Sequence, residues 1–297
     1  MLSGMTSVPY PAGPIHLAKL HATGNDFLVW TRLDPADDHA VPTAFARALC
    51  DRHTGIGADG LILLTAGVDG ADATMTLHNA DGGIAEMSGN GIRCLAWAAA
   101  EAGLGGDALV VDTGGGRRTI EIERDAVGGV HAATVDMGPV TFDPAAIPVD
   151  APSAFDLTAE FHGVTYRGDA AGMGNPHFVC FVDDVESARV AQHGPHLETD
   201  PRFPRRTNVE FVAPDGASAL RMRVWERGVG ETLSCGTGAC ASAAVAHRRD
   251  LVGPRVTVRL PGGELTVDIG DTIRLGGPVV HVFDVDIDPA MLETDAA

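Results

Sequence analysis

Short stretches of alternating apolar and polar positions recur along this chain. The period-two pattern predicts strands over 15–20, 27–30, 73–77, 109–112, 119–123, 178–182, 207–212, 219–225, 256–260 and 265–269. Two stretches break that rhythm, one running from Gly91 to Ala100 and the other from Gly238 to Ala246. Both are Ala-rich and apolar nearly all round, which predicts helices buried inside a larger body.

The pattern occurs twice. Thr23-Gly24-Asn25-Asp26-Phe27 is followed by Ser88-Gly89-Asn90-Gly91, and Met173-Gly174-Asn175-Pro176-His177-Phe178 is followed at nearly the same distance by Cys235-Gly236-Thr237-Gly238. Gly115-Gly116 and Gly138-Pro139-Val140 have counterparts in Gly262-Gly263 and Gly277-Pro278-Val279. A two-copy repeat of this length is a duplicated domain, since solenoid units are much shorter. The predicted fold is α/β (α+β): two pseudo-symmetric halves, each a strand-rich layer or barrel wrapped round a central buried helix. A cleft lies between them, and the polar stretch from Asp150 to Pro152 serves as a link.

Composition narrows the chemistry. The formal charge of -19 opposes binding to nucleic acid or to an anionic membrane, because the average surface field repels phosphates. Lys19 is the only lysine, every other basic side chain being arginine, and it sits in a strand-like run. That disfavours pyridoxal phosphate, which needs a lysine for its Schiff base. Five cysteines are an odd number in a chain too long to need disulfide staples, so reduced thiols in a cytoplasm are expected. No signal peptide or membrane span is read.

The two Gly-rich turns carry the candidate chemistry. Each opens a helix, whose unpaired N–H groups and dipole favour an amino-acid carboxylate. A thiol at such a position is expected to have a lowered pKa, which makes Cys235 a candidate base or nucleophile. Cys50, Cys94, Cys180 and Cys240 read as small hydrophobes. The cysteine spacing does not suit zinc, and neither turn reads as a dinucleotide fingerprint. Taken singly, Asn25, Asn79, Asn175 and Asn208 suit turns, His177 suits a core, and Glu226-Arg227 suits a structural pair as well as a functional one.

Several segments together resemble diaminopimelate epimerase: His21 to Phe27 (HATGNDF), Asp51 to Asp59 (DRHTGIGAD), Asn79 to Gly82, Glu86 to Cys94, Gly174 to His177 (GNPH), Thr207 to Phe211 (TNVEF) and Glu226 to Cys240 (ERGVGETLSCGTGAC). The resemblance runs from about Leu17 to Val285. It implies an N-terminal half over 1–131 completed by a last strand over 278–289, and a C-terminal half over 132–277. It also implies an isomerase of lysine and peptidoglycan precursor biosynthesis that interconverts LL- and meso-2,6-diaminopimelate. In that family two cysteines act as base and acid without metal, pyridoxal or another cofactor.

Carried over residue by residue, the catalytic set is Cys235 and Ser88 with His177 and Glu226 tuning them. The substrate set is Asn25, Asn79, Gly89, Asn90, Asn175, Asn208, Glu226, Arg227, Gly236 and Thr237. The expected partner is a small-molecule amino acid, with a homodimer compatible. Gly60 stands where many members carry a substrate-touching Gln, a loss that water or backbone can offset. Ser88 departs further, because a hydroxyl is a far weaker acid than a thiol. It reads as an engineered change, as a natural variant that still epimerises, or as a variant with altered chemistry. A related racemase with another substrate, a relative of the phenazine-biosynthesis isomerases and a ligand-binding protein that has lost catalysis are the alternatives.

Overall fold

A computed structural model of the chain describes residues 13–34 and 40–292. They form two compact units, one running up to His131 and resuming at Val279, the other spanning Ala132–Pro278.

In the first unit β1 (Ile15–Ala22) and β2 (Asn25–Arg32) form an antiparallel hairpin. Its two turn residues, Thr23 and Gly24, have φ of 50° and 82°. Such a turn matches the right-handed twist of the flanking strands, and it sets Asn25 at the very start of β2. Helix α1 (Thr43–Cys50) carries the chain across so that β3 (Gly60–Ala66) runs parallel to β2. β4 (Ala73–Asn79) turns back along β3, and the short β5 (Ile84–Ala85) pairs with β4. Helix α2 (Gly89–Glu101) then crosses to β6 (Ala108–Thr113), parallel to β4, with β7 (Gly116–Arg124) returning along β6.

The pattern reading misses β3, for a physical reason. Leu61 and Leu63 pack with Phe45 and Leu49 of α1, while Ile62 faces the start of α2, where a Cβ on Gly91 would lie 3.2 Å from Ile62 Cδ1. A strand covered on both faces reads as an unbroken apolar run with no alternation.

The second unit opens with β8 (Val130–Asp136) and β9 (Leu157–Phe161), then follows the same order. β10 (Val164–Gly172) and β11 (Pro176–Phe181) form the hairpin, α3 (Val190–Glu198) crosses to β12 (Asn208–Pro214), and β12 runs parallel to β11. β13 (Ala219–Glu226) is followed by β14 (Gly230–Thr232), by helix α4 (Gly236–Arg248) and by β15 (Arg255–Leu260), which lies parallel to β13. β16 (Gly263–Ile269) and β17 (Ile273–Pro278) complete the unit, and β17 pairs with β8. The chain ends its strands with β18 (Val280–Ile287), antiparallel to β1 in the first unit.

Each unit therefore has a strand-rich layer around one buried helix. α2 packs on β1 to β4 and β7, and α4 on β10 to β13 and β15 to β17. Ile92 and Leu95 on α2 are fully buried, each stabilising the unit by roughly 1.5–3 kcal/mol. Helix α3 escapes the periodicity because Gly194 and Pro195 interrupt it. Gly194 is there for contact, since a Cβ would lie 2.5 Å from the Trp225 ring.

One expectation fails. The stretch from Asp150 to Pro152 is not a link between units: the Asp150 N–H donates to the Arg202 carbonyl (2.7 Å) inside the second unit.

Candidate active site

The second unit holds a chain of polar contacts ending at Cys235. Cys235 is the extended N-cap residue of α4 (φ −127°, ψ 111°) and is buried. Its Sγ lies 3.6 Å from Thr237 Oγ1. Thr237 Oγ1 is 3.4 Å from Asn175 Nδ2, Asn175 Oδ1 is 2.8 Å from His177 Nε2, and His177 Nδ1 is 2.7 Å from Glu210 Oε1. The side chains of His177 and Glu210 are wholly inaccessible. A Cβ on Gly238 would stand 2.7 Å from Glu210 Oε1 and 3.3 Å from Cys235 Sγ, so glycine is what lets carboxylate, thiol and helix start converge. The Glu226 carboxyl accepts the Thr232 hydroxyl, and it lies near enough to Cys235 for its charge to act on the thiol.

Burial pushes the Cys235 thiol well up, and the nearby Glu226 and Glu210 carboxylates push it further. The Thr237 hydroxyl and Gly238 N–H pull the other way and lose. Burial likewise raises the Glu226 carboxyl. The expectation of a lowered thiol pKa is thus overturned, because desolvation and two like-signed neighbours outweigh a helix terminus. At rest Cys235 is a neutral thiol.

The first unit carries the corresponding turn with different chemistry. Ser88 is the extended N-cap of α2 (φ −134°, ψ 125°), and its Oγ accepts the Gly91 N–H at 3.1 Å. Behind the turn lies Arg93, fully buried. Its guanidinium donates to the Gly89 carbonyl (2.9 Å) and to Asn90 Oδ1 (2.9 Å). Asn90 Nδ2 donates in turn to Asn25 Oδ1 (3.2 Å), and Asn25 Nδ2 to Asp59 Oδ2 (2.6 Å). Arg52 binds both Asp26 and Asp59, and Lys19 binds Asp26 and the Gly57 carbonyl. Burial raises the Asp26 carboxyl, but hydrogen bonds from Arg52 and Lys19 and the Lys19 charge prevail and bring it down to about 2. Cation thus backs one turn and carboxylate the other.

A family model for diaminopimelate epimerase matches residues 17–142 and 170–281. The chain belongs to the diaminopimelate epimerase family. A diaminopimelate epimerase from Moorella thermoacetica is 42% identical over 277 residues, covering 91% of this chain and 98% of that protein. One from Erythrobacter litoralis is 44% identical over 274 residues, covering 91% of this chain and 96% of that protein. The fold is shared more widely. A hydroxyproline epimerase from Agrobacterium vitis, with trans-4-hydroxy-L-proline bound, aligns at a TM-score of 0.70 with 18% identity, over 94% of each chain. A PhzF-family phenazine biosynthesis protein from Bacillus anthracis aligns at 0.66 with 14% identity, over 93% of this chain and 99% of that one.

Against this family's expected substrate set, the side chains divide. Asn25, Asn90, Asn175 and Thr237 sit at the two turns, together with the backbone of Gly89 and Gly236. Asn79 lies exposed at the end of β4. Arg227 is exposed, and its guanidinium donates to the Arg205 carbonyl at 3.3 Å. Asn208 is buried and engaged at both amide ends: Nδ2 donates to the Pro176 carbonyl (3.0 Å), and Oδ1 accepts the Arg227 N–H (2.9 Å). It ties the start of β11 to the turn after β13. Gly60 is a matter of space rather than a lost contact, since a Cβ there would lie 2.7 Å from the His78 carbonyl oxygen.

Four residues escaped the sequence reading. Glu210 and Asp59 orient His177 and Asn25 from within quoted motifs, and Arg93 is the one buried charge of α2. Glu198 accepts from Trp225 Nε1 (2.7 Å) and the Gly228 N–H (3.0 Å), holding the turn after Glu226. A charge inside an apolar run was the available signal for Arg93. For the others the signal is spatial. Among the described residues, no group of three or more His, Cys, Asp or Glu is placed to hold a metal ion. No helix among them is long and apolar enough to cross a membrane.

Proposed function

We propose that this chain is a diaminopimelate epimerase, an isomerase that interconverts LL- and meso-2,6-diaminopimelate by moving the α-proton between protein side chains. The observation that carries the reading is the buried Cys235 thiol at the start of α4, with the Glu226 charge acting on it, in a chain about 40% identical to diaminopimelate epimerases over nearly its whole length. Backbone N–H groups at Gly89-Asn90 and those at Gly236-Thr237 each suit an α-carboxylate, as helix starts suit anions. Cys235 exchanges one proton with the α-carbon. As a resting thiol it delivers that proton directly. To remove one it first passes its hydrogen to Glu226, whose raised carboxyl makes it a stronger base than an exposed glutamate.

Ser88 takes the second proton-transfer position. Its oxygen already caps α2, and among the described residues no basic side chain is hydrogen-bonded to it. Inversion is therefore slower than exchange at the Cys235 face. The experiment is solvent deuterium incorporation at the α-carbon alongside net inversion, for LL- and meso-diaminopimelate and a panel of ordinary amino acids. Exchange confined to diaminopimelate, lost in Cys235→Ala, supports the reading; exchange on another amino acid alone replaces the substrate. Tight binding without any exchange would make the chain a binding protein.

The five cysteines, all free and buried, suit a reducing cytoplasm. A second copy of the chain is the partner of β18. That strand pairs with β1, and it exposes Val280, Val282 and Phe283, a combination that invites strand-to-strand association of like with like.

A further inference from the structure

Glu210 has no part in the mechanism so far, yet it is wholly buried, and its Oε2 has no hydrogen-bond partner among the described residues. An unpartnered carboxylate oxygen in a core is costly, and an apolar residue would avoid the cost.

We infer that Glu210 is a positioning residue: through His177 it sets the direction of the hydrogen-bond chain His177–Asn175–Thr237, so that the Thr237 hydroxyl donates to Cys235 Sγ. The inference rests on reading Cys235 as the proton-transfer residue.

The direction follows from what each atom can do. Asn175 Oδ1 only accepts, and it lies 2.8 Å from His177 Nε2, so Nε2 carries a hydrogen. Two bare lone pairs do not meet at 2.7 Å, so a second hydrogen lies between His177 Nδ1 and Glu210 Oε1. A neutral imidazole owns one hydrogen, and Glu210 is the group that accommodates the other. It does so as a carboxylate beside an imidazolium or as a carboxylic acid beside the Nε2–H tautomer.

With Oδ1 turned to His177, Asn175 shows its NH2 to Thr237 Oγ1. The hydroxyl oxygen accepts there, leaving its own hydrogen for the sulfur 3.6 Å away. Were Nε2 bare, the amide would turn over. Oδ1 would then claim the Thr237 hydroxyl, and Cys235 would lose its donor. Because both ring nitrogens are sealed from solvent, no water substitutes for Glu210.

The test is a double-mutant cycle read by ultraviolet titration of the Cys235 thiolate, with Cys235→Ala as the blank. In the otherwise unaltered chain, Thr237→Val removes the donor and moves the thiol titration to higher pH. In a Glu210→Leu background the same change moves it by much less, because the donor is already misdirected. An equal movement in both backgrounds overturns the inference, since a purely electrostatic or packing role of Glu210 is additive with Thr237. Nitrogen-15 spectra of His177 in the unaltered chain keep the inference falsifiable if Glu210→Leu does not fold. A hydrogen on Nε2 supports it, and a bare Nε2 overturns it. Neither readout requires turnover, so a chain inactive on diaminopimelate would sink the functional reading while leaving this one standing or falling by itself.

Discussion

Ser88 and Cys235 have nearly the same backbone conformation at corresponding helix starts, yet their side chains face opposite demands. A serine oxygen caps a helix well and a thiol poorly, and the α2 cap is made while the α4 cap is not. Ser88→Cys is therefore expected to lower stability by about 1 kcal/mol, as measured by urea unfolding, while raising net inversion relative to α-proton exchange. A variant that gains stability without gaining inversion would remove Ser88 from the proton-transfer position. At Cys235 the raised thiol belongs first to burial and then to Glu226. Glu226→Gln removes that neighbouring charge, so thiolate forms at lower pH and the alkaline rise of exchange at the Cys235 face moves toward acid. The maximal rate falls in the same variant, because the carboxyl that takes the hydrogen is gone. A pH–rate profile of deuterium exchange reads both.

The hairpin of β1 and β2 shows how an element is held where its turn residue must stand. Asp26 binds Lys19 and Arg52, and its carboxyl is lowered from 3.8 to about 2. A group whose folded pKa is depressed stabilises the fold above its unfolded pKa and loses that contribution as pH falls. The shift corresponds to roughly 2 kcal/mol, present above pH 4 and lost between pH 4 and pH 2. Unfolding free energies of the unaltered chain and of Asp26→Asn, compared across that window, are expected to converge toward the acid end. Curves that stay parallel would show that Asp26 does not carry the acid sensitivity. Elements also differ in how plainly the sequence announces them. α2 and α4 are legible as Ala-rich blocks behind Gly-rich turns, and strands with one wet face alternate. β3 does not, because α1 and α2 cover it on both sides, and α3 does not, because Pro195 and Gly194, the latter making room for Trp225, interrupt the helical rhythm.

At the scale of the molecule, β18 places Val280, Val282 and Phe283 in solvent, exposed by 44%, 51% and 42%, beside an acidic surface whose net charge of -19 would otherwise keep copies apart. Apolar exposure at a strand edge, against that repulsion, argues for an association that buries it. Sedimentation of the unaltered chain is expected to give a dimer that rising salt tightens and that Phe283→Asp dissociates. A monomer at all concentrations in the unaltered chain would remove the second copy as partner of β18.

What the sequence by itself determined is local or repetitive: the duplication, the two Gly-rich turns, the helices behind them, and Ser88 and Cys235 at their starts. Glycine, asparagine and alternation act over a few residues and leave their mark there. What only the tertiary structure decided is the state of the chemistry. Cys235 reads in sequence as a thiol activated by a helix terminus, and it stands in the fold as a buried neutral thiol among Glu226, Glu210 and Thr237. Asn208 reads as a substrate contact, and the fold adds that its amide ties Pro176 to Arg227. Desolvation and the direction of hydrogen bonds depend on which groups long-range strand pairing brings together, and no spacing along a chain records that.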